Sequence, residues 1–293
     1  MYMSLVLGFK PLMDDWIPVK KLAEFRKACH KYKIYMREDV VFDHRKKNEI
    51  KSNVLGKDCL TTTCAQGLPF KEGAGGFLHI FLSKDKNILK KGVWYPLVIK
   101  NRVIFQPRID NLKYGYVLGY PDCCVKFFSK FNNWKKYSFL YEAYKNTRNK
   151  PSFLCNPFLK ATSFSYIFHM PCSYSCKNTI SLVNNLRKEI KKKEPYFVAL
   201  TDSYLKSVFL VFYEDKSYCF DGDLKDDLLR YRTAYYTFPG KTKDIYGKNL
   251  KKADSLKLES RKLILYHRNK VNEIIDVPMN STAPEFPFLI KFS

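Results

Sequence analysis

Two short stretches of the chain place thiols in pairs: Gly119-Tyr120-Pro121-Asp122-Cys123-Cys124 and His169-Met170-Pro171-Cys172-Ser173-Tyr174-Ser175-Cys176. Proline fits a first helical position, and an acidic residue such as Asp122 suits the positive end of the helix dipole. Both motifs are therefore expected to open helices, with the thiols in the first turn, where the dipole favours the thiolate that binds metal. After the second motif, Ile180, Val183, Leu186 and Ile190 recur at helical spacing, which puts Cys172 and Cys176 one turn apart on one helix face.

Four thiolates from two helix starts make a four-sulfur site, so Cys123, Cys124, Cys172 and Cys176 are the expected metal ligands. Either an iron-sulfur cluster or a tetrahedral zinc ion suits such a set. Consecutive cysteines are awkward around one small ion, while a cluster accepts adjacent thiolates on different irons; this ligand geometry ranks iron-sulfur ahead of zinc. His169, three residues before Cys172, is a candidate ligand, a donor to a sulfur, or a hydrogen-bonding group at a helix start. Packing of reduced thiols, or a metal-free thiol redox pair, stays open beside these readings. The fragment Cys172-x3-Cys176 also carries the first two positions of a C-x3-C-x2-C cluster loop, but Thr179 stands where the third cysteine would be. No HExxH stretch and no Ser/His/Asp order supplies a rival centre.

Together the two motifs, G-Y-P-x-C-C and H-x-P-C-S-x-x-C, resemble the signatures of an uncharacterised prokaryotic protein family. His79-Ile80-Phe81 with Ser83-Lys84-Asp85 is similar to a further shared element. The resemblance implies that the four cysteines and His169 belong together, and it brings no reaction with it.

The remaining cysteines, Cys29, Cys59, Cys64, Cys155 and Cys219, read as buried fillers, with Cys155 a conceivable fifth ligand. His79, inside an apolar run, reads as a core histidine.

The elements that must position these residues follow from pattern. A strand over Leu5–Phe9 and a helix from Pro18 to Lys31 open the chain. Strand-like alternation covers Lys33–Phe42, with a break near Arg37–Asp39, and a polar loop follows over His44–Ser52. Thr61–Cys64 and Gly76–Leu82 read as strands, Lys84–Lys91 as a short helix and Tyr95–Phe105 as a strand. Glycines 73, 75 and 76 match neither phosphate-binding fingerprint and read as a turn. From Pro195 onward strands are expected at Phe197–Leu200, Ser207–Tyr213, Ser217–Phe220, Tyr231–Phe238, Leu256–Tyr266 and Lys270–Asp276. An extended tail, Pro278–Pro287, leads to docked Phe286, Phe288 and Leu289. The expected fold is α+β: a mixed α/β N-terminal half, a central pair of Cys-bearing helices and a β-rich C-terminal third. The expected organisation is an α/β region with the cysteine site over residues 1–194 and a β-rich region over 195–293, or one continuous domain.

Composition bounds the function classes. With 46% apolar residues over 293 positions, the chain buries a substantial core and lacks the signature of disorder. No run approaches the ~20 apolar residues of a membrane-spanning helix, and Met1–Phe9 is short for a secretion signal. A cytoplasmic protein is expected, where nine reduced cysteines fit metal binding or burial better than a disulfide framework. A net charge of +24 attracts polyanions, so nucleic acid is a candidate partner; general lysine usage explains the same excess. The basic run Arg187–Lys193 complements a helix C-terminus as well as it suits RNA.

Overall fold

A computed structural model describes residues 2–42, 67–69, 75–92, 97–99, 102–105, 110–131, 137–160, 162–213, 216–237, 244–279 and 286–293. The expected loop at 44–52, the strand at 61–64 and two of the filler cysteines, Cys59 and Cys64, lie outside these residues. The architecture is α+β, as the pattern predicts, and the chain divides into two compact units, Tyr2–Val125 and Lys126–Ser293.

The first unit holds α1 (Tyr2–Val6), β1 (Met13–Pro18), α2 (Leu22–Lys31), β2 (Tyr35–Phe42), β3 (Gly67–Pro69), β4 (Phe77–Ser83), α3 (Lys86–Leu89), a small hairpin of β5 (Leu97–Ile99) and β6 (Arg102–Phe105), and α4 (Asn111–Val117). Its antiparallel sheet runs β1-β4-β2-β3. Period-two alternation sends Leu78, Ile80 and Leu82 of the central strand to one face, where they pack with Leu5, Met13, Ile17, Leu22 and Cys29. The break expected near Arg37–Asp39 is a register shift between Glu38 and Val41 within one continuous strand, as a bulge produces.

Residues Leu5–Phe9 are not a strand. Met3 accepts a helical hydrogen bond from Leu7 N at 2.9 Å, and Gly8, at φ +81°, ends the turn. Full burial of Leu5 in the core beneath the sheet decides the conformation of a segment too short to show a period.

The second unit begins within α5 (Asp122–Phe131) and continues through α6 (Phe139–Lys145), α7 (Lys177–Lys193) and α8 (Pro195–Leu205). Strands β7 (Val208–Tyr213), β8 (Lys216–Lys225) and β9 (Leu228–Tyr236), the short helix α9 (Gly247–Leu250), then β10 (Ser255–Glu259), β11 (Lys262–His267), β12 (Lys270–Asp276) and β13 (Phe288–Lys291) complete the chain. The seven-stranded antiparallel sheet is a meander from β12 to β7 with the C-terminal β13 added beside β7. One face buries Val208, Leu210, Phe212, Phe220, Leu229 and Leu263 against α9. Because β7 lies inside the sheet and is covered on both faces, Phe209 and Val211 are as buried as their neighbours, the continuous apolar run of a doubly covered strand.

Phe197–Leu200, expected as a strand, lies inside α8. Pro195 starts that helix, and Val198, Thr201, Asp202 and Leu205 bury one face at spacings of three, one and three. Asp202 on this face takes hydrogen bonds from Arg187 Nε of α7 at 2.9 and 3.0 Å and from Tyr166 OH at 2.9 Å, which ties the two helices together through one carboxylate.

Candidate metal centre

Pro121 is the residue before α5 rather than its first, and its carbonyl accepts from Cys124 N at 2.9 Å and Val125 N at 3.0 Å. Cys123 and Cys124 therefore occupy the opening turn, as the sequence predicts. Their Sγ atoms stand 3.9 Å apart, Cys124 buried and Cys123 partly exposed. Asp122 accepts a hydrogen bond from Tyr116 OH at 2.7 Å. Gly119 carries φ +76°, and a Cβ there would lie 2.5 Å from Pro11 Cδ. Glycine is thus required by both conformation and contact at the turn that feeds α5.

The second motif departs from expectation. Pro171 does not start a helix: α7 begins at Lys177 with Cys176 as the residue preceding it, in an extended conformation. Cys172 lies in the turn before, so the two thiols are not one helical turn apart. The physical reason is that this segment's amides bond elsewhere: Tyr174 N donates to Thr147 Oγ1 at 2.9 Å. Asn146 Nδ2 holds the Cys172 carbonyl at 3.2 Å, and Ser152 N donates to the Tyr174 carbonyl at 2.7 Å. The Tyr174 side chain, fully buried, packs its ring on Phe158 and Phe292 and donates its hydroxyl to Leu140 O at 2.9 Å. An aromatic plug, rather than a helix, sets the shape of the Cys172–Cys176 loop.

The four thiols come together all the same. The sulfurs of Cys123, Cys124, Cys172 and Cys176 lie within 4.8 Å of one another, a group able to hold a metal. Every described cysteine is free of disulfide. His169 is not a member of that group; it is buried, with Nε2 2.9 Å from Thr179 Oγ1 in the first turn of α7. Cys155, the conceivable fifth ligand, is fully buried and directs its Sγ to the Cys176 carbonyl at 3.7 Å. Cys29 and Cys219 are buried, and burial pushes the Cys219 thiol up to about 11, which keeps it inert. Tyr174 is the positioning residue that motif reading missed. Its signal was present as a large aromatic inside an otherwise small, polar loop, Ser173-Tyr174-Ser175.

No helix of the described residues is long and apolar enough to cross a membrane. Comparison with protein families matches residues 78–202 to the family described as a protein of unknown function, DUF483. That stretch contains both cysteine motifs and His79. Neither the curated proteins nor the solved structures give a match.

Proposed function

We propose that the four cysteines bind one tetrahedral metal ion, zinc in the first place, as the structural centre of a nucleic-acid-binding protein. The sulfur spacing carries the reading. Zinc–thiolate bonds of about 2.3 Å put tetrahedral sulfurs about 3.8 Å apart, and the 3.9 Å between Cys123 and Cys124 and the 4.8 Å limit of the group are within an ångström of that. Four protein thiolates leave no open position, which is the pattern of a structural rather than a catalytic zinc.

A second reading is an iron-sulfur cluster serving a redox or substrate-modifying role, favoured by the adjacency of Cys123 and Cys124. A four-iron cluster takes each thiolate on a separate iron, so its ligands must spread further than they do here. Metal analysis of protein purified without oxygen separates the two. One zinc per chain and a colourless solution are expected; iron with inorganic sulfide and absorption near ~400 nm would establish the cluster instead.

The nucleic-acid half of the proposal rests on exposed cations. Lys188, Lys191 and Lys193 of α7 are exposed, and Tyr196 at the start of α8 is 79% exposed, a ring available for base stacking beside phosphate-binding charges. Binding of a single-stranded RNA at low salt is expected to weaken steeply as salt rises. Replacing the three lysines by glutamate should flatten the log–log slope by about 2, at ~0.7 per phosphate contact. Absence of binding by the native protein at low ionic strength would remove this half and leave the metal centre standing.

A further inference from the structure

A different cluster of titratable groups lies on the sheet face opposite the Leu78–Ile80–Leu82 core, within residues 2–125. Register places Trp16 opposite His79 and both Asp14 and Arg37 opposite Phe81. His79 is clamped between the rings of Trp16, 4.5 Å away, and Phe81, 4.8 Å away. Its Nδ1 is 2.7 Å from Asp39 Oδ2, and its Nε2 is 3.9 Å from Asp14 Oδ2. Access to solvent grows along this series: the side chain of Asp39 is sealed, His79 is 1% exposed and Asp14 26%. Lys10, within the field of Asp14 and Asp15, is 8% exposed, its Nζ 3.5 Å from Tyr120 OH and 5.2 Å from the centre of that ring. Tyr114 OH donates to Asp14 at 3.3 Å.

Taking an ion out of water is costly, and apolar residues in place of a buried ion pair are often neutral or stabilising. Packing stability alone gives little reason to bury an ammonium, an imidazole and two carboxylates on one sheet face. Such groupings collect where protons are moved. The Asp39 hydrogen bond fixes the His79 ring and leaves Nε2 as its working end, facing the carboxylate that reaches water.

We propose that Lys10 is an imine-forming lysine for a small aldehyde or ketone, with His79, oriented by Asp39, moving the proton through Asp14. The Lys10 Nζ lone pair forms a bond to the carbonyl carbon, and the amine nitrogen gives up one of its protons, which the carbonyl oxygen takes to become the carbinolamine hydroxyl. The carbinolamine hydroxyl then leaves as water with a second proton, supplied by His79 through Asp14, and a protonated imine remains on Lys10. Its positive charge takes the place of the ammonium charge in the field of Asp14 and Asp15. Burial supports the assignment by lowering Lys10 to about 8 against the pull of Asp14 and Asp15. At pH 7.5 this gives on the order of 200-fold more free amine than an ordinary lysine holds. Burial pushes His79 the same way, but the hydrogen bonds and charges of Asp14 and Asp39 outweigh it and keep the imidazole protonated above its usual range. A proton donor and an unprotonated amine thus coexist near neutral pH.

The test uses the full chain, glyoxylate as the probe and borohydride to trap imines, with labelled lysines located by peptide mass spectrometry. Lys10 is expected to be labelled at least tenfold faster than the exposed lysines Lys20, Lys113 and Lys188, despite its burial. Lys10→Arg, which keeps the charge, should carry no label at that position and leave the others unchanged. A buried structural lysine would be labelled more slowly than exposed ones, and that result overturns the proposal. His79→Gln should slow trapping at Lys10 by roughly 100-fold; an unchanged rate in a folded variant would remove His79 from the step.

Discussion

Cys124→Ser is expected to yield protein with little bound metal and a lowered unfolding temperature that chelators no longer change. Cys124 is buried beside Cys123, and its thiolate is one of four ligands to the proposed ion. Groups that merely support a ligand are each worth about 10–100-fold in metal affinity, so loss of a ligand should exceed 100-fold. At a fixed metal concentration above the dissociation constant, that is at least about 2.7 kcal/mol of apparent stability. Cys155→Ser is the matched control. It also alters a buried thiol, whose Sγ reaches the Cys176 carbonyl, yet it should retain full metal content and lose stability only through packing. Metal stoichiometry and thermal unfolding with and without chelator read both variants. Equal metal in Cys124→Ser and the native protein would show that the thiols pack without binding.

The sequence made the four-thiol group legible because thiol pairs at short spacing are rare and chemically specific. Helix initiation was half legible. Pro121 and Asp122 pointed correctly to a helix start at the first motif. The same proline rule failed at Pro171, because a proline permits a first helical turn without requiring one. Which of two conformations follows is settled by long-range partners, here Thr147, Asn146 and Ser152, that no local pattern contains. The strand expected at Phe197–Leu200 failed for a related reason. Four apolar residues fit a buried strand or a helix segment equally, and the turn that decides, Thr201 to Leu205, lies beyond the run. In the meander of β7 to β12 each strand was legible but not its full length: Ser217–Phe220 covers only part of β8, whose polar end Asp221–Lys225 pairs with the start of β9, and Leu256–Tyr266 divides at the tight turn between β10 and β11.

His79 was legible as a buried histidine but not as one between two carboxylates. Asp14 and Asp39 are 65 and 40 residues away in sequence, and only the pairing of β1 and β2 with β4 brings them to one face. Distance in sequence hides polar clusters built across strands, whereas it leaves cysteine motifs visible because each half is itself a local signal.

Tyr174→Ala should be the most damaging single change outside the four thiols. The side chain has no exposure to solvent, its ring contacts Phe158 and Phe292, and Phe158 and Phe292 also pack on Phe209 of β7. Truncation of such an aromatic removes its transfer free energy and leaves a cavity, together about 3–5 kcal/mol. It also leaves the Leu140 carbonyl without the hydroxyl that bonds it at 2.9 Å. Tyr174→Phe separates these contributions, since it keeps the ring and should cost about 1–2 kcal/mol for the buried carbonyl alone. The consequence for the metal is separable from stability. With the plug gone, Cys172 and Cys176 lose the anchor between them, and ordering that loop must be driven by metal binding itself. Metal affinity should fall at least tenfold in Tyr174→Ala and stay near native in Tyr174→Phe. Competition with a chromogenic chelator, at a temperature where both variants are folded, measures this directly. Native affinity in a folded Tyr174→Ala protein would mean that the thiols hold their arrangement without the aromatic core beneath them.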